Sequence, residues 1–190
     1  MTGLLGGSFD PPHNGHLALA AAARMQLALD ELLVLVAMRP RHKEVETDAE
    51  TRVRLAEAAF AGVAEVRRDE HSYTVDTLRE LGGDPVFLLG ADEFADFLAW
   101  RDPDEVLQLA RLAVATRPGI DRDRLDLVLA QLERPERVSF FELEPQPESS
   151  REIRARIAAG ESIDDMVPPA VATLIRELGL YTDPPVPRLH

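Results

Sequence analysis

The sequence predicts an α/β protein built on a doubly wound parallel sheet, with a small helical segment at its C-terminal end. Three observations carry that expectation. Short apolar runs alternate with stretches of helical composition along the chain, the pattern of successive strand–helix units. The runs at 32–37 and 86–89 are continuously apolar, as strands covered on both faces are. Polar or glycine-containing clusters then follow the strands, at 6–16, 40–43, 90–92, 117–119 and 149–154. In open parallel sheets, ligands bind beyond the C-terminal ends of the strands.

Each element has a local reason. Leu4 and Leu5 form the core of a first strand expected to stop at Gly6-Gly7, turn through Pro11-Pro12 and open a helix over 16–29, apolar nearly all round. Asn14 is the expected N-cap of that helix. Residues 32–37 are a buried strand, followed by a polar loop to Lys43. Thr47 and Glu50 read as a capping box for a helix reaching Phe60. A weak strand follows at 63–66, then a helix over 75–81 that Gly82-Gly83 ends. After the strand at 86–89 come two short helical pieces separated by Trp100-Arg101-Asp102-Pro103. A strand at 112–116, an amphipathic helix at 122–132 and a last strand at 138–143 follow. Helices over 150–158 and 169–178 complete a single domain of residues 1–182. Residues 183–190, which contain three prolines, are expected to be a disordered tail.

Composition narrows the function. Hydrophobic residues make up 45% and charged residues 29%, ordinary for a globular protein with a real core. No apolar run approaches the roughly 20 residues of a membrane span. Met1-Thr2 passes straight into the first strand without a leader, so a cytoplasmic location is expected. The absence of cysteine excludes disulfides, thiolate metal sites and a cysteine nucleophile. A net charge of −13 argues against nucleic-acid and membrane partners, though not against a small anionic substrate. Lys43 is the only lysine, so the remaining basic charge is arginine.

The stretch Gly6-Gly7-Ser8-Phe9-Asp10-Pro11-Pro12-His13-Asn14-Gly15-His16 reads as a phosphate site. The glycines let backbone approach a ligand closely. The amides of Gly15, His16 and Leu17 are expected to point out of the helix start, where the dipole favours an anion. His13 and His16 share a face three residues apart. The same pair could instead share a metal ion, with a third ligand from elsewhere.

GGSFDPPHNGHL (6–17) resembles the signature of the H-x-G-H nucleotidyltransferases. SYTVDTL (72–78), LLGADEF (88–94) with Trp100 eight residues after Asp92, ATRPG (115–119) and SSREIR (149–154) are similar to motifs of the bacterial nicotinate-nucleotide adenylyltransferases, in the same order. The likeness runs from residue 3 to Tyr181. It implies a Rossmann-like nucleotidyltransferase fold and transfer of AMP from ATP to nicotinate mononucleotide, giving deamido-NAD and pyrophosphate. An anionic phosphate oxygen needs no strong base to attack. Catalysis then reduces to aligning two polyanions and stabilising charge at the α-phosphorus and the leaving pyrophosphate.

By the same resemblance His13, His16, Lys43 and Arg154 act on the phosphates. Gly6, Gly7, Ser8, Phe9, Ser149 and Ser150 line the ATP site, and Gly90, Asp92 and Arg117 meet the adenosine. Thr74, Trp100 and Arg101 hold the mononucleotide, with the indole stacked on its pyridine ring. Mg²⁺ is expected to arrive with ATP rather than in a protein-built cage. Four positions depart from the family pattern: Arg41 replaces the second proline before His42-Lys43, Glu148 and Arg151 flank the two serines, and Arg101 replaces an aromatic often found there. Other acceptors on the same fold (nicotinamide mononucleotide or phosphopantetheine) and a non-catalytic nucleotide sensor are the alternatives at this point.

Overall fold

A computed structural model describes residues 1–41 and 45–182 of the chain. Its strands are β1 (Thr2–Gly7), β2 (Glu31–Ala37), β3 (Glu65–Asp69), β4 (Val86–Gly90), β5 (Arg111–Thr116) and β6 (Val138–Glu142). Its helices are α1 (Asn14–Gln26), α2 (Ala49–Phe60), α3 (Thr74–Leu81), α4 (Ala91–Ala95), α5 (Pro103–Leu109), α6 (Arg122–Leu129), α7 (Ser150–Ala158) and α8 (Pro169–Leu178). All adjacent strands pair in parallel, in the spatial order β3-β2-β1-β4-β5-β6. This is the doubly wound, Rossmann-like sheet that the sequence predicts.

Side-chain alternation explains why both faces are covered. Leu5, Val34, Val36, Leu88 and Ala113 pack with residues of α1, α2, α7 and α8. Leu4, Leu33, Leu35, Phe87, Leu112 and Val114 pack with residues of α3, α4, α5 and α6. Successive strand residues point to opposite faces, so a strand must be apolar at every position to serve both layers. The winding reverses between β1 and β4. Their ladder ends at Leu5 opposite Leu88, whereas β1 goes on pairing with β2 through Gly6–Leu35 and Gly7–Val36.

Several boundaries differ from the expectation, each for a local reason. The two glycines expected to stop β1 are its last two residues. α1 ends at Gln26, three residues short of the expected 29. Ala28 turns left-handed there (φ 50°), and Leu29 is brought onto Gly3, where a Cβ would lie 2.6 Å from the leucine Cδ1. The cap of α2 is Asp48, which accepts from the Thr51 amide at 2.9 Å, and not the Thr47–Glu50 box. Thr47 is drawn away by Asp10 and Glu50 by Arg68. β3 lies two residues later than expected, in register with β2 from Leu33–Glu65 to Ala37–Asp69. α6 stops at Leu129, three residues short of the expected 132, while Leu132 still reaches the core. The tail expected at 183–190 lies outside the described residues.

Candidate active site

Phosphate-binding turns need backbone held close and still, and the end of β1 supplies that. After Gly7 the chain passes Phe9 through a left-handed conformation (φ 51°) that turns its ring inward. The ring meets Phe60 edge-on at 5.7 Å and the His16 imidazole at 5.0 Å. A Cβ on Gly7 would sit 2.9 Å from the Phe9 ring, so the strand can end this close to it only as glycine. The carbonyl of Ser8 is held at 2.9 Å by Arg52, a fully buried guanidinium that also donates to Ala37 and Met38 carbonyls at 2.7 and 3.4 Å. One α2 side chain thus ties the C-terminal ends of β1 and β2 together. The Asp10–Pro11 bond is cis.

His13, not Asn14, is the N-cap of α1. Asn14 is occupied elsewhere: its amide donates to the Met166 carbonyl and its side chain to Asp165, both at 2.9 Å. The His13 amide donates to His16 Nδ1 at 3.2 Å, and the two rings lie 3.8 Å apart at 38°. Because Nδ1 accepts there, Nε2 is the donor nitrogen of His16. Of the three amides expected to face a ligand, those of His16 and Leu17 instead donate to the His13 carbonyl, at 2.9 and 3.4 Å. Gly15 leaves room for the 145–149 segment to press on the helix start; a Cβ would lie 3.0 Å from the His13 ring and 3.3 Å from Gln146 Cβ.

The start of α7 closes on the same loop from a distant part of the chain. Ser149 caps α7 by accepting from the Glu152 amide at 3.2 Å. The Ser150 hydroxyl donates to the Pro11 carbonyl at 2.8 Å. Arg154 donates through Nη1 to the Asp10 carbonyl at 2.7 Å and through Nε to Glu46 at 2.8 Å. The Asp10 carboxylate, 1% exposed, accepts from the Glu46 amide and the Thr47 hydroxyl at 2.6 Å and from the Tyr181 phenol at 2.7 Å. Burial first, and the charge of Asp10 second, hold the Tyr181 phenol far above the usual tyrosine range, so it stays a donor. Burial lowers the Arg52 guanidinium from its ordinary value, opposed by the charge of Asp10.

Sequence reasoning missed this inner ring of Asp10, Glu46, Arg52 and Tyr181. Arg52 had a legible mark, since it shares the buried stripe of α2 with Leu55, Ala56 and Ala59, where a charge needs a reason. Glu148, the residue least suited to a triphosphate, has Oε2 buried without a hydrogen bond among the described residues.

On the other side of the switch point, Gly90, Asp92 and Arg117 line a cavity of about 120 Å³ with Leu19 and Leu143. Arg117 pairs with the largely exposed Asp92 at 3.2 Å. The Gly90 amide is taken by Glu93 at 2.9 Å, where a Cβ would come within 2.8 Å of that carboxylate. Thr74 opens α3 behind Tyr73, whose ring has the guanidinium carbons of Arg101 and Arg41 at 4.7 and 5.0 Å. Trp100 meets Phe87 edge-on at 6.0 Å and Phe97 at 5.3 Å. Phe87 in turn reaches to 3.1 Å from where a Gly6 Cβ would be, and so joins the tryptophan to the glycine turn. Lys43 lies outside the described residues.

The cytidylyltransferase-like family model matches residues 4–156. A Bordetella avium protein named a probable nicotinate-nucleotide adenylyltransferase is 38% identical over 94% of this chain and 96% of its own. A Moorella thermoacetica protein of the same name is 37% identical over 94% and 90%. Among solved structures, Plasmodium falciparum nicotinic acid mononucleotide adenylyltransferase complexed with NaAD superposes with a TM-score of 0.68 at 19% identity, covering 95% of this chain and 96% of that one. Its complex with APC gives 0.67. With its sheet order, its paired imidazoles at the end of β1 and this likeness over nearly its whole length, the chain belongs to the cytidylyltransferase-like family of nucleotidyltransferases, among the relatives named for nicotinate-nucleotide adenylyl transfer.

Proposed function

We propose that this protein is a nicotinate-nucleotide adenylyltransferase of NAD biosynthesis, transferring AMP from ATP to nicotinate mononucleotide. A phosphate oxygen of the mononucleotide attacks the α-phosphorus, a new P–O–P bond forms, and the bond to the β-phosphate breaks to release pyrophosphate. No covalent enzyme intermediate is needed. The observation that carries this reading is the convergence of His13, His16, Ser150 and Arg154 on one rigid turn at the topological switch point.

The residue roles follow from donor chemistry. His13 and His16 Nε2 donate to phosphate oxygens, and Arg154 adds a fixed positive charge. Lys43 supplies a point charge for the same anion. Gly6, Gly7, Ser8 and Phe9 supply close backbone, and Ser149 and Ser150 the start of α7. Gly90, Asp92 and Arg117 bound the adenosine side, and the Arg117–Asp92 pair opens if ribose hydroxyls take over Asp92. Thr74, Trp100 and Arg101 receive the pyridine ring; the Arg101 charge suits a nicotinate carboxylate.

Mg²⁺ enters with ATP. At the turn the Asp10 and Glu46 carboxylates are already engaged by Thr47, Tyr181 and Arg154, and the remaining groups are imidazole and guanidinium N–H donors, so Mg²⁺ arriving with ATP would be held mainly by phosphate oxygens and water. The chemistry it would supply there is neutralisation of negative charge on the triphosphate. Residues 1–182 act as one unit, in the cytoplasm where ATP is at hand. No helix among the described residues is long and apolar enough to cross a membrane.

Pyrophosphate release from ATP, with the acid and amide mononucleotides offered in parallel, tests the reading. The acid is expected to turn over faster. Equal or reversed rates would overturn the acceptor assignment, and ATP binding without release would mark a sensor.

A further inference from the structure

Tyr181, just after α8, lies beside the site. α8 closes at Gly179, and Tyr181 then adopts a left-handed conformation (φ 62°) that a non-glycine residue rarely takes. That turn sends the phenol inward to Asp10 Oδ1, 2.7 Å away, with only 7% of the residue exposed. Backbone strain of this kind persists only where surrounding contacts hold it. Here the contact is a buried carboxylate.

Asp10 is where four segments meet. Its Oδ1 accepts from Tyr181 and Thr47, its Oδ2 from the Glu46 amide, and its main-chain carbonyl from Arg154 Nη1. Glu46 closes the ring by accepting from Arg154 Nε at 2.8 Å. Two of the three guanidinium nitrogens of Arg154 are therefore held by Asp10 and Glu46. Among the described residues Nη2 makes no hydrogen bond, which leaves it for a ligand.

The geometry points to Tyr181 as a positioning residue: by holding the Asp10 carboxylate from the chain's far end, it fixes the carbonyl that aims Arg154 at the nucleotide phosphates. This rests on the reading of Arg154 as a phosphate ligand. Tyr181 does not touch substrate; it acts through Asp10. A tether with no such role would hold α8 in place and leave the grip on ATP alone.

Calorimetric titration of the full chain with MgATP, and separately with nicotinate mononucleotide, distinguishes the two. Tyr181→Phe keeps the ring and removes only the hydroxyl. MgATP binding is expected to weaken by about tenfold, the scale on which misplacing a fixed group acts, while mononucleotide binding holds. In an Arg154→Ala background the same change is expected to add nothing. Thr47→Val, which removes the other hydroxyl from Asp10 Oδ1, should reproduce the loss, and Thr47→Ser should restore binding; this pair serves if Tyr181→Phe does not fold. Unchanged MgATP affinity in Tyr181→Phe, equal weakening of both ligands, or full additivity with Arg154→Ala would each overturn the positioning role. If Arg154→Ala itself leaves MgATP binding intact, the assignment of Arg154 fails first and the role of Tyr181 falls with it. If Arg154→Ala weakens binding and Tyr181→Phe does not, the site stands and only the latch is wrong.

Discussion

The Trp100 indole meets the Phe87 ring edge-on, with centroids 6.0 Å apart and planes at 89°. Phe87 belongs to β4 and presses against Gly6 of β1, so the tryptophan rests on the strand pair at which the winding reverses. One face of the indole can therefore serve as a platform without costing the core a residue. Trp100→Ala is expected to raise KM for the mononucleotide by about tenfold, the size of a lost aromatic stack. KM for ATP should hold, and Trp100→Phe should recover part of the loss. Steady-state kinetics with each substrate varied in turn checks this.

The two imidazoles can be tested one at a time. His16 uses Nδ1 as an acceptor for the His13 amide, so an isosteric replacement must keep both an acceptor and a donor. Replacing either histidine by alanine is expected to lower kcat by about 10²–10³, the usual loss for one preorganised donor to a developing charge. His16→Ala should also loosen the start of α1. Single-turnover rates at saturating ATP read the chemical step directly.

Arg154 and Lys are not interchangeable here. The guanidinium spans Asp10 and Glu46 with two nitrogens at 2.7 and 2.8 Å, a fork that one ammonium cannot reproduce. Arg154→Lys is expected to keep the charge yet lose about 10-fold or more in kcat/KM for ATP, with Arg154→Ala losing more. Comparable activity in wild type and the lysine variant would mean that charge alone is required.

Arg52 is a prediction about stability. Its guanidinium donates to the Ser8, Ala37 and Met38 carbonyls, and the residue is 1% exposed. Arg52→Ala leaves buried carbonyls unpaired beside the Asp10 charge. A loss of about 3–5 kcal/mol is expected, as when one partner of a buried ionic network is removed. Urea unfolding measures it, and a loss within the range of an ordinary surface change would show that water replaces the guanidinium.

His71 sets a pH dependence. Its hydrogen bond with Glu80 at 2.6 Å, and the charges of Glu80 and Asp69, raise the imidazole above its ordinary value of 6.5. A group whose folded value is raised stabilises most fully below the unfolded value. Its contribution is lost as pH rises through the folded value. Stability should therefore fall as pH climbs above about 6.5, and Glu80→Gln should flatten that part of the profile. Denaturation midpoints measured from pH 6 to 8, with and without the substitution, decide the point.

Much of this protein could be read without coordinates. The strands show as continuous apolar runs because both faces of the sheet are covered, and α7 and α8 match their expected limits because their caps are local. Boundaries failed where a distant residue outbid the local signal. Thr47 looked like a cap and became a ligand of Asp10; Asn14 looked like a cap and was taken by the 165–166 segment. His13, His16, Ser149, Ser150 and Arg154 stood out because they lie in short motifs, and the fold brings those motifs to one turn.

The sequence by itself determined the alternation of strands and helices and the placing of two imidazoles three residues apart at the first helix start. These depend on periodicity and on neighbours within a few positions. Tertiary structure alone decided that Arg154 would be aimed by the carbonyl of Asp10, 144 positions away, and that Tyr181 and Arg52 would brace the same turn. A hydrogen bond requires atoms within about 3 Å of one another, and no local pattern records which distant segments the fold will bring that close.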